Sequence, residues 1–291
     1  MAKLGTTTKR PRWGPPAAIV GGGPTRAFVL SGGGTLGAWQ VGQLEGLLGA
    51  GIEPDLLVGT SVGALNAAAV AGDPTPEGVR KLAMAWRRTR RADVLPAWGW
   101  SRVSALRRRA LYSNGGLRAL IESCAPYPDI EDATVPLRVV TTSLETGGER
   151  VLSSGSVVDA VLASMAIPGI YPPVQIGEER LIDGGIVDNV PVRPAVEEGA
   201  DEVFVLAASS RCPPPERVRH LHDVLLYSAW LMLRPPADAL AGSYGASVKV
   251  VVLPSSCPVA LRPFDFSQTD RLIASAREQT AAFLEGAEVP A

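Results

Sequence analysis

Histidine is almost missing from this chain: only His220 and His222 occur in 291 residues, so a reaction that needs a base must look chiefly to carboxylates. The three cysteines, Cys124, Cys212 and Cys257, are odd in number and far apart, which argues against a disulfide framework and for a reducing compartment. No spacing of His, Cys, Asp or Glu matches a zinc or calcium site, so neither a metal nor another cofactor is expected. Neither sign of charge prevails. With 28 Lys and Arg against 29 Asp and Glu the net charge is −1, and nothing calls for nucleic acid as a partner. The most apolar internal run, 224–233, falls far short of the about 20 residues that cross a bilayer. Residues 1–24, with Thr6 to Thr8, Lys9, Arg10, Arg12 and Gly21 to Gly23, hold no continuous apolar stretch and read as a disordered tail, not a signal peptide. A cytoplasmic protein, at most peripheral to a membrane, is the expectation.

What is abundant is apolar residues, at 46%, and glycine, with 31. That composition can bury one large core, so residues 25–291 are expected to form a single domain. Runs of Val and Leu predict strands at 27–30, 56–58, 137–142, 203–207 and 248–253. Helical patterns lie between and after them, at 36–48, 62–71, 77–89, 116–124, 157–165, 192–198, 216–233 and 270–284. Apolar strands separated by helices imply an α/β fold, a mostly parallel central sheet covered by helices on both faces, whose active sites open at the carboxyl ends of the strands. No internal repeat is present.

Ser61 stands in Gly59-Thr60-Ser61-Val62-Gly63, directly after Leu56-Leu57-Val58 and before Ala64-Leu65-Asn66-Ala67-Ala68-Ala69. A strand, a sharp turn and a helix around one serine make a nucleophile elbow. Gly59 and Gly63 let the backbone turn tightly enough to push the hydroxyl outward near a helix N-terminus. Upstream, Arg26-Ala27-Phe28-Val29-Leu30 runs into Ser31-Gly32-Gly33-Gly34-Thr35-Leu36-Gly37. Acyl transfer places negative charge on a former carbonyl oxygen, and each preset donor is worth roughly 3 to 4 kcal/mol. Gly33 and Gly34 are the candidate oxyanion donors.

Gly32, Gly34 and Gly37 also satisfy the dinucleotide-binding spacing. That reading needs an acid at the carboxyl end of the second strand, about 20 residues on. The acid here, Asp55, stands at the strand's beginning, and its carboxyl end is the Gly-Thr-Ser of the elbow.

The serine still needs a base. A triad in the order Ser61, Asp183 and a histidine is formally available. However, 215–227 reads as an amphipathic helix with the apolar stripe Val218, Leu221, Val224 and Leu225, which leaves His220 on the opposite face and His222 at the stripe's edge. The stronger candidate is Asp183 in Arg180-Leu181-Ile182-Asp183-Gly184-Gly185-Ile186-Val187-Asp188-Asn189-Val190-Pro191. It follows apolar residues and precedes two glycines, so it should sit at a strand end with its carboxylate exposed in a cleft. Desolvation beside Leu181 and Ile182 would raise its basicity.

The three motifs together resemble those of the patatin-like phospholipases, serine hydrolases with a Ser-Asp dyad. The resemblance runs over 27–208 and includes Ala163-Ser164-Met165-Ala166-Ile167-Pro168-Gly169-Ile170-Tyr171-Pro172-Pro173-Val174, which in that family precedes the aspartate motif. It implies a three-layer sandwich, Ser61 as nucleophile, Asp183 as its base, an oxyanion hole of amides at Gly33 and Gly34, motif glycines Gly32, Gly37, Gly59, Gly63, Gly184 and Gly185, and a lipid or other ester as substrate. Leu36 departs from the family, which usually carries Arg or Lys there. An acyltransferase, in which an alcohol replaces water, and a catalytically weak lipid-binding protein remain as alternatives.

The segment 80–109 stands apart in charge. Arg80, Lys81, Arg87, Arg88, Arg90, Arg91, Arg102, Arg107, Arg108 and Arg109 face one acid, Asp93, with Trp86, Trp98 and Trp100 interleaved. Two readings stand side by side: a peripheral contact or lid for an anionic lipid surface, and a solvated helix with a surface loop whose cations pair with acids elsewhere.

Overall fold

Alternation along a strand decides this architecture. In β1 (Arg26–Leu30), Ala27 and Val29 face one side of the sheet, Phe28 and Leu30 the other, and all four are fully buried. A strand apolar on both faces needs cover on both. The computed structural model describes residues 25–95, 110–208, 247–255 and 264–286. Its further strands are β2 (Leu56–Thr60), β3 (Leu137–Ser143), β4 (Glu149–Leu152), β5 (Val174–Ile176), β6 (Glu179–Asp183), β7 (Glu202–Leu206) and β8 (Lys249–Val252). The helices are α1 (Gly37–Gly49), α2 (Val62–Gly72), α3 (Pro76–Arg88), α4 (Arg91–Val94), α5 (Gly115–Cys124), α6 (Val157–Ser164), α7 (Val192–Glu197) and α8 (Thr269–Leu284).

Pairing follows the order β5-β6-β3-β2-β1-β7-β8, with β4 also on β3. β1 with β2 and β7, β2 with β3, and β7 with β8 are parallel; β4 and β6 run antiparallel to β3, and β5 to β6. On one face Phe28, Leu30, Leu57, Leu137, Val139 and Phe204 pack under α1, α2, α3, α5, α6 and α8. On the other, Ala27, Val29, Leu56, Val58, Val140 and Val203 meet Val192 and Ala195 of α7. The result is a three-layer α/β sandwich. Each expected strand and helix within the described residues is present with ends shifted by two residues or less; the expected helix at 216–233 and the tail at 1–24 lie outside them.

The helices form for local reasons. Thr75 accepts the N–H of Gly78 and Pro76 opens α3, whose buried stripe is Val79, Leu82, Ala83 and Trp86. α1 and α8 pack so closely that a Cβ at Gly42 would lie 2.2 Å from the carbonyl oxygen of Ile273. Among the described residues no helix is long and apolar enough to cross a membrane.

The short antiparallel strands position the site. β2 pairs with 137–140 of β3, and β6 with 141–143. Leu57 N–H bonds the carbonyl of Pro136 and Leu144 N–H that of Arg180, whereas Ser143 N–H bonds Gly148 on the β4 side. Backbone groups of even-numbered residues thus point to one edge of β3 and those of odd-numbered residues to the other. β2 and β6 therefore occupy successive stretches of the same edge and run toward each other. Thr60 lies opposite Val140 and Asp183 opposite Thr141, so the residue after Thr60 meets the end of β6.

Candidate active site

Ser61 follows β2 directly and adopts φ 54, ψ −125, one of two non-glycine residues at positive φ among those described. Such a conformation costs about 1–3 kcal/mol and persists only when surroundings fix it. Three bonds do so: Ser61 N–H donates to Ser164 Oγ at 2.7 Å, and the Ser61 carbonyl accepts the N–H of Ala64 at 2.9 Å and of Leu65 at 3.4 Å. The flanking glycines serve close approach, since neither adopts positive φ. A Cβ at Gly63 would fall 2.2 Å from the carbonyl oxygen of Leu30, and one at Gly59 2.6 Å from the Cα of Ala64.

Asp183 closes β6, which runs back from beyond the carboxyl end of β3. Ser61 Oγ donates to Asp183 Oδ2 at 2.7 Å, and Gly185 N–H donates to Oδ1 at 2.9 Å. The Asp183 backbone is tied on both sides, its N–H to Ala166 O at 3.0 Å and its carbonyl to Thr142 Oγ1 at 2.9 Å. Gly184 is required by space, for a Cβ there would lie 2.2 Å from Val140 O. The carboxylate does not stand exposed in a cleft as the sequence suggested. Asp183 is fully buried and Ser61 is 6% exposed, so what little solvent reaches the pair reaches the serine. Burial pushes the Asp183 carboxyl up to about 6, opposed in part by the Gly185 N–H and the Ser61 hydroxyl. Half-buried Asp188 is likewise raised to about 6 by burial, opposed by the Val190 N–H. A carboxylate so desolvated and in contact with a hydroxyl is placed to take its proton.

The glycine loop 32–34 is fastened through Gly32 to Asn189 and lies against Ser61. Gly32 N–H donates to Asn189 O at 3.1 Å, and a Cβ on Gly32 would come within 2.2 Å of Asn189 Oδ1 and 3.3 Å of the Ser61 Cβ. Gly34 has φ +57, a conformation that glycine adopts without strain. Leu36 N–H bonds Gly33 O, while the N–H groups of Gly33 and Gly34 have no partner among the described residues. Gln40 donates to the carbonyls of Ser31 at 2.7 Å and Leu206 at 2.9 Å. Asn66 donates to Gly37 O at 3.0 Å and Gln40 Oε1 at 2.9 Å, and accepts from Trp86 Nε1 at 2.9 Å. The loop is thus preset by buried amides of α1 and α2. Leu36 belongs to the core and is 2% exposed, so a cation there would need burial or a different path.

Ser61 and Asp183 are brought into contact and Gly32 lies against Ser61, while Gly37 packs on Val62 and Trp86; His220 and His222 lie outside the described residues, as do 96–109. Sequence reasoning missed Ser164, Gln40, Asn66 and Asn189. Ser164 and Asn189 lie within the stretches that carry the resemblance, yet no role for either followed from them. Of the described basic residues, Arg80 pairs with Glu77, Lys81 with Asp73 at 2.9 Å and Arg87 with Asp270 at 2.6 Å. Trp86 is buried and unavailable to any interface.

Fold and site define a three-layer α/β protein with a glycine loop, an elbow serine and a buried aspartate in direct contact. The patatin-like phospholipase model matches residues 28–196, and the chain belongs to that family. It is 30% identical over 187 residues to patatin-like phospholipase domain-containing protein 7 of Rattus norvegicus, covering 64% of this chain and 14% of that protein. Lysophospholipase nte1 of Aspergillus terreus is 32% identical over 203 residues, 65% of this chain and 12% of its own length. An NTE family protein of Mycobacterium bovis is 32% identical over 188 residues, 62% of this chain and 30% of its own. The chain spans about one-seventh of the rat relative's length. Among solved structures, VipD from Legionella pneumophila has the same fold, with a TM-score of 0.50 at 15% identity, covering 91% of this chain and 67% of that one.

Proposed function

We propose that this chain is a serine acyl hydrolase that cleaves carboxylic esters of lipids through a Ser61–Asp183 dyad. The 2.7 Å hydrogen bond from Ser61 Oγ to Asp183 Oδ2, made between a strained elbow serine and a fully buried carboxylate, carries this reading. Family membership and the likeness to a lysophospholipase support the lipid class of substrate.

As Ser61 Oγ attacks the ester carbonyl carbon, Asp183 takes its proton, and the N–H groups of Gly33 and Gly34 stabilise the charge on the former carbonyl oxygen. The protonated Asp183 then gives that proton to the departing alcohol as the carbon–oxygen bond breaks, leaving an acyl ester on Ser61. Water attacks the acyl carbon with Asp183 again as base, and the returning proton releases Ser61 and the free acid. A short-chain p-nitrophenyl ester tests the assignment. Ser61→Ala should fold as the parent does and release no nitrophenol above background; turnover at the parental rate would move the nucleophile elsewhere.

A further inference from the structure

Ser164, the last residue of α6, is fully buried and uses one oxygen twice. Its Oγ accepts the Ser61 N–H at 2.7 Å and donates to the carbonyl of Val140 at 2.6 Å. Val140 is the β3 residue opposite Thr60, and its carbonyl also marks where a side chain on Gly184 would collide, 2.2 Å from the Cβ. The hydroxyl therefore sits at the junction where β2 and β6 meet. Two residues on, the carbonyl of Ala166 receives the N–H of Asp183 at 3.0 Å. One stretch of three residues fixes the backbones of both members of the dyad.

We propose that Ser164 is a positioning residue that holds Ser61 in its positive-φ conformation and so sets the contact between Oγ and Asp183; this rests on the dyad reading above. Serine suits the place because a single small hydroxyl both accepts and donates, which alanine cannot do and a thiol does weakly. The bond has a second consequence. The Ser61 N–H is occupied by Ser164 and cannot face an oxyanion, so that duty falls to other amides, for which those of Gly33 and Gly34 are the candidates.

The test compares Ser164→Ala with Tyr171→Phe, which removes another buried hydroxyl bond, 2.8 Å to Val94 O, that involves neither member of the dyad. Steady-state turnover of a p-nitrophenyl ester and the second-order rate of fluorophosphonate labelling are both measured per folded molecule. Because misplacement of a reacting group by an ångström can cost about 100-fold, Ser164→Ala should lose about 10- to 100-fold in kcat and in labelling rate with KM changed less than about threefold. Tyr171→Phe should keep both rates. Folded Ser164→Ala with parental kcat and labelling overturns the proposal. If Ser164→Ala does not fold, Ser164→Cys decides: labelling slowed about tenfold or more supports positioning, and parental labelling overturns it. Ser61→Ala is run alongside. Labelling that survives in Ser61→Ala condemns the dyad itself, an outcome distinct from parental rates in the Ser164 variants.

Discussion

At the scale of single residues, burial sets Asp183 against the stability of the fold. Its carboxyl is raised by desolvation from 3.8 to about 6, so the folded state holds the proton more tightly than the unfolded chain does. Stability from this group is therefore full below the ordinary pKa and lost as pH rises through about 6, a difference of about 3 kcal/mol at neutral pH. Asp183→Asn keeps the shape and should raise the urea midpoint at pH 8 by an amount that shrinks toward zero as the pH is lowered to 4, while removing turnover about as fully as Ser61→Ala. An unchanged or lowered midpoint at pH 8 would show that the ionised carboxylate is not costly. Activity has the opposite sign, because the base must be deprotonated: kcat/KM should fall about tenfold per pH unit below about 6. Asp188 titrates in the same range, and the inflection should persist in Asp188→Asn; its disappearance would assign the profile to Asp188. Ser61 and Asp183 are legible in sequence because each lies in a turn that only glycine neighbours leave room for. Ser164, Gln40 and Asn66 are not. A serine ending an apolar helix and two amides within helices look ordinary until the fold delivers particular backbone atoms to them.

At the scale of elements, the parallel strands were readable because each holds a run of Val, Leu or Phe, which in β1, β2 and β7 is buried on both faces. β4, β5 and β6 were not, since Glu149-Arg150-Val151-Leu152 and Glu179-Arg180 carry charge and are partly exposed, and only pairing of β4 and β6 with β3, and of β5 with β6, makes them strands. The head-on meeting of β2 and β6 is a matter of which edge of β3 each uses, and no local pattern encodes it. Between helices, Asn66 joins α1, α2 and α3 through Gly37, Gln40 and Trp86. Asn66→Leu leaves those buried partners unsatisfied and should cost about 1–3 kcal/mol per orphaned group, read as a lower urea midpoint; an unchanged midpoint would mean the network is dispensable. The end of α3 and the start of α4 still carry exposed Arg88, Arg90 and Arg91, which have no carboxylate partner for their side chains among the described residues. If they meet an anionic membrane, the Arg88, Arg90 and Arg91→Gln variant should bind phosphatidylserine vesicles about 100-fold more weakly, at about 1 kcal/mol per charge. Equal binding would leave the solvated-helix reading of this segment.

At the scale of the whole molecule, the sheet gathers three separate segments, the glycine loop after β1, the elbow after β2 and the end of β6, onto one point. Motifs spread from Gly32 to Asp183 become one site because β1, β2 and β3 are adjacent and parallel, while β6 returns along the edge that β2 vacates. The claim at the centre is that Asp183 serves Ser61 directly, without a histidine. Fluorophosphonate labelling followed by intact-protein mass spectrometry tests it in a variant with both His220 and His222 replaced by Gln. One adduct per chain, mapped to Ser61, should form at the parental rate. A folded histidine-free protein that labels slower by the about 10²- to 10⁴-fold a positioned base supplies would contradict the dyad and return the chain to a triad mechanism.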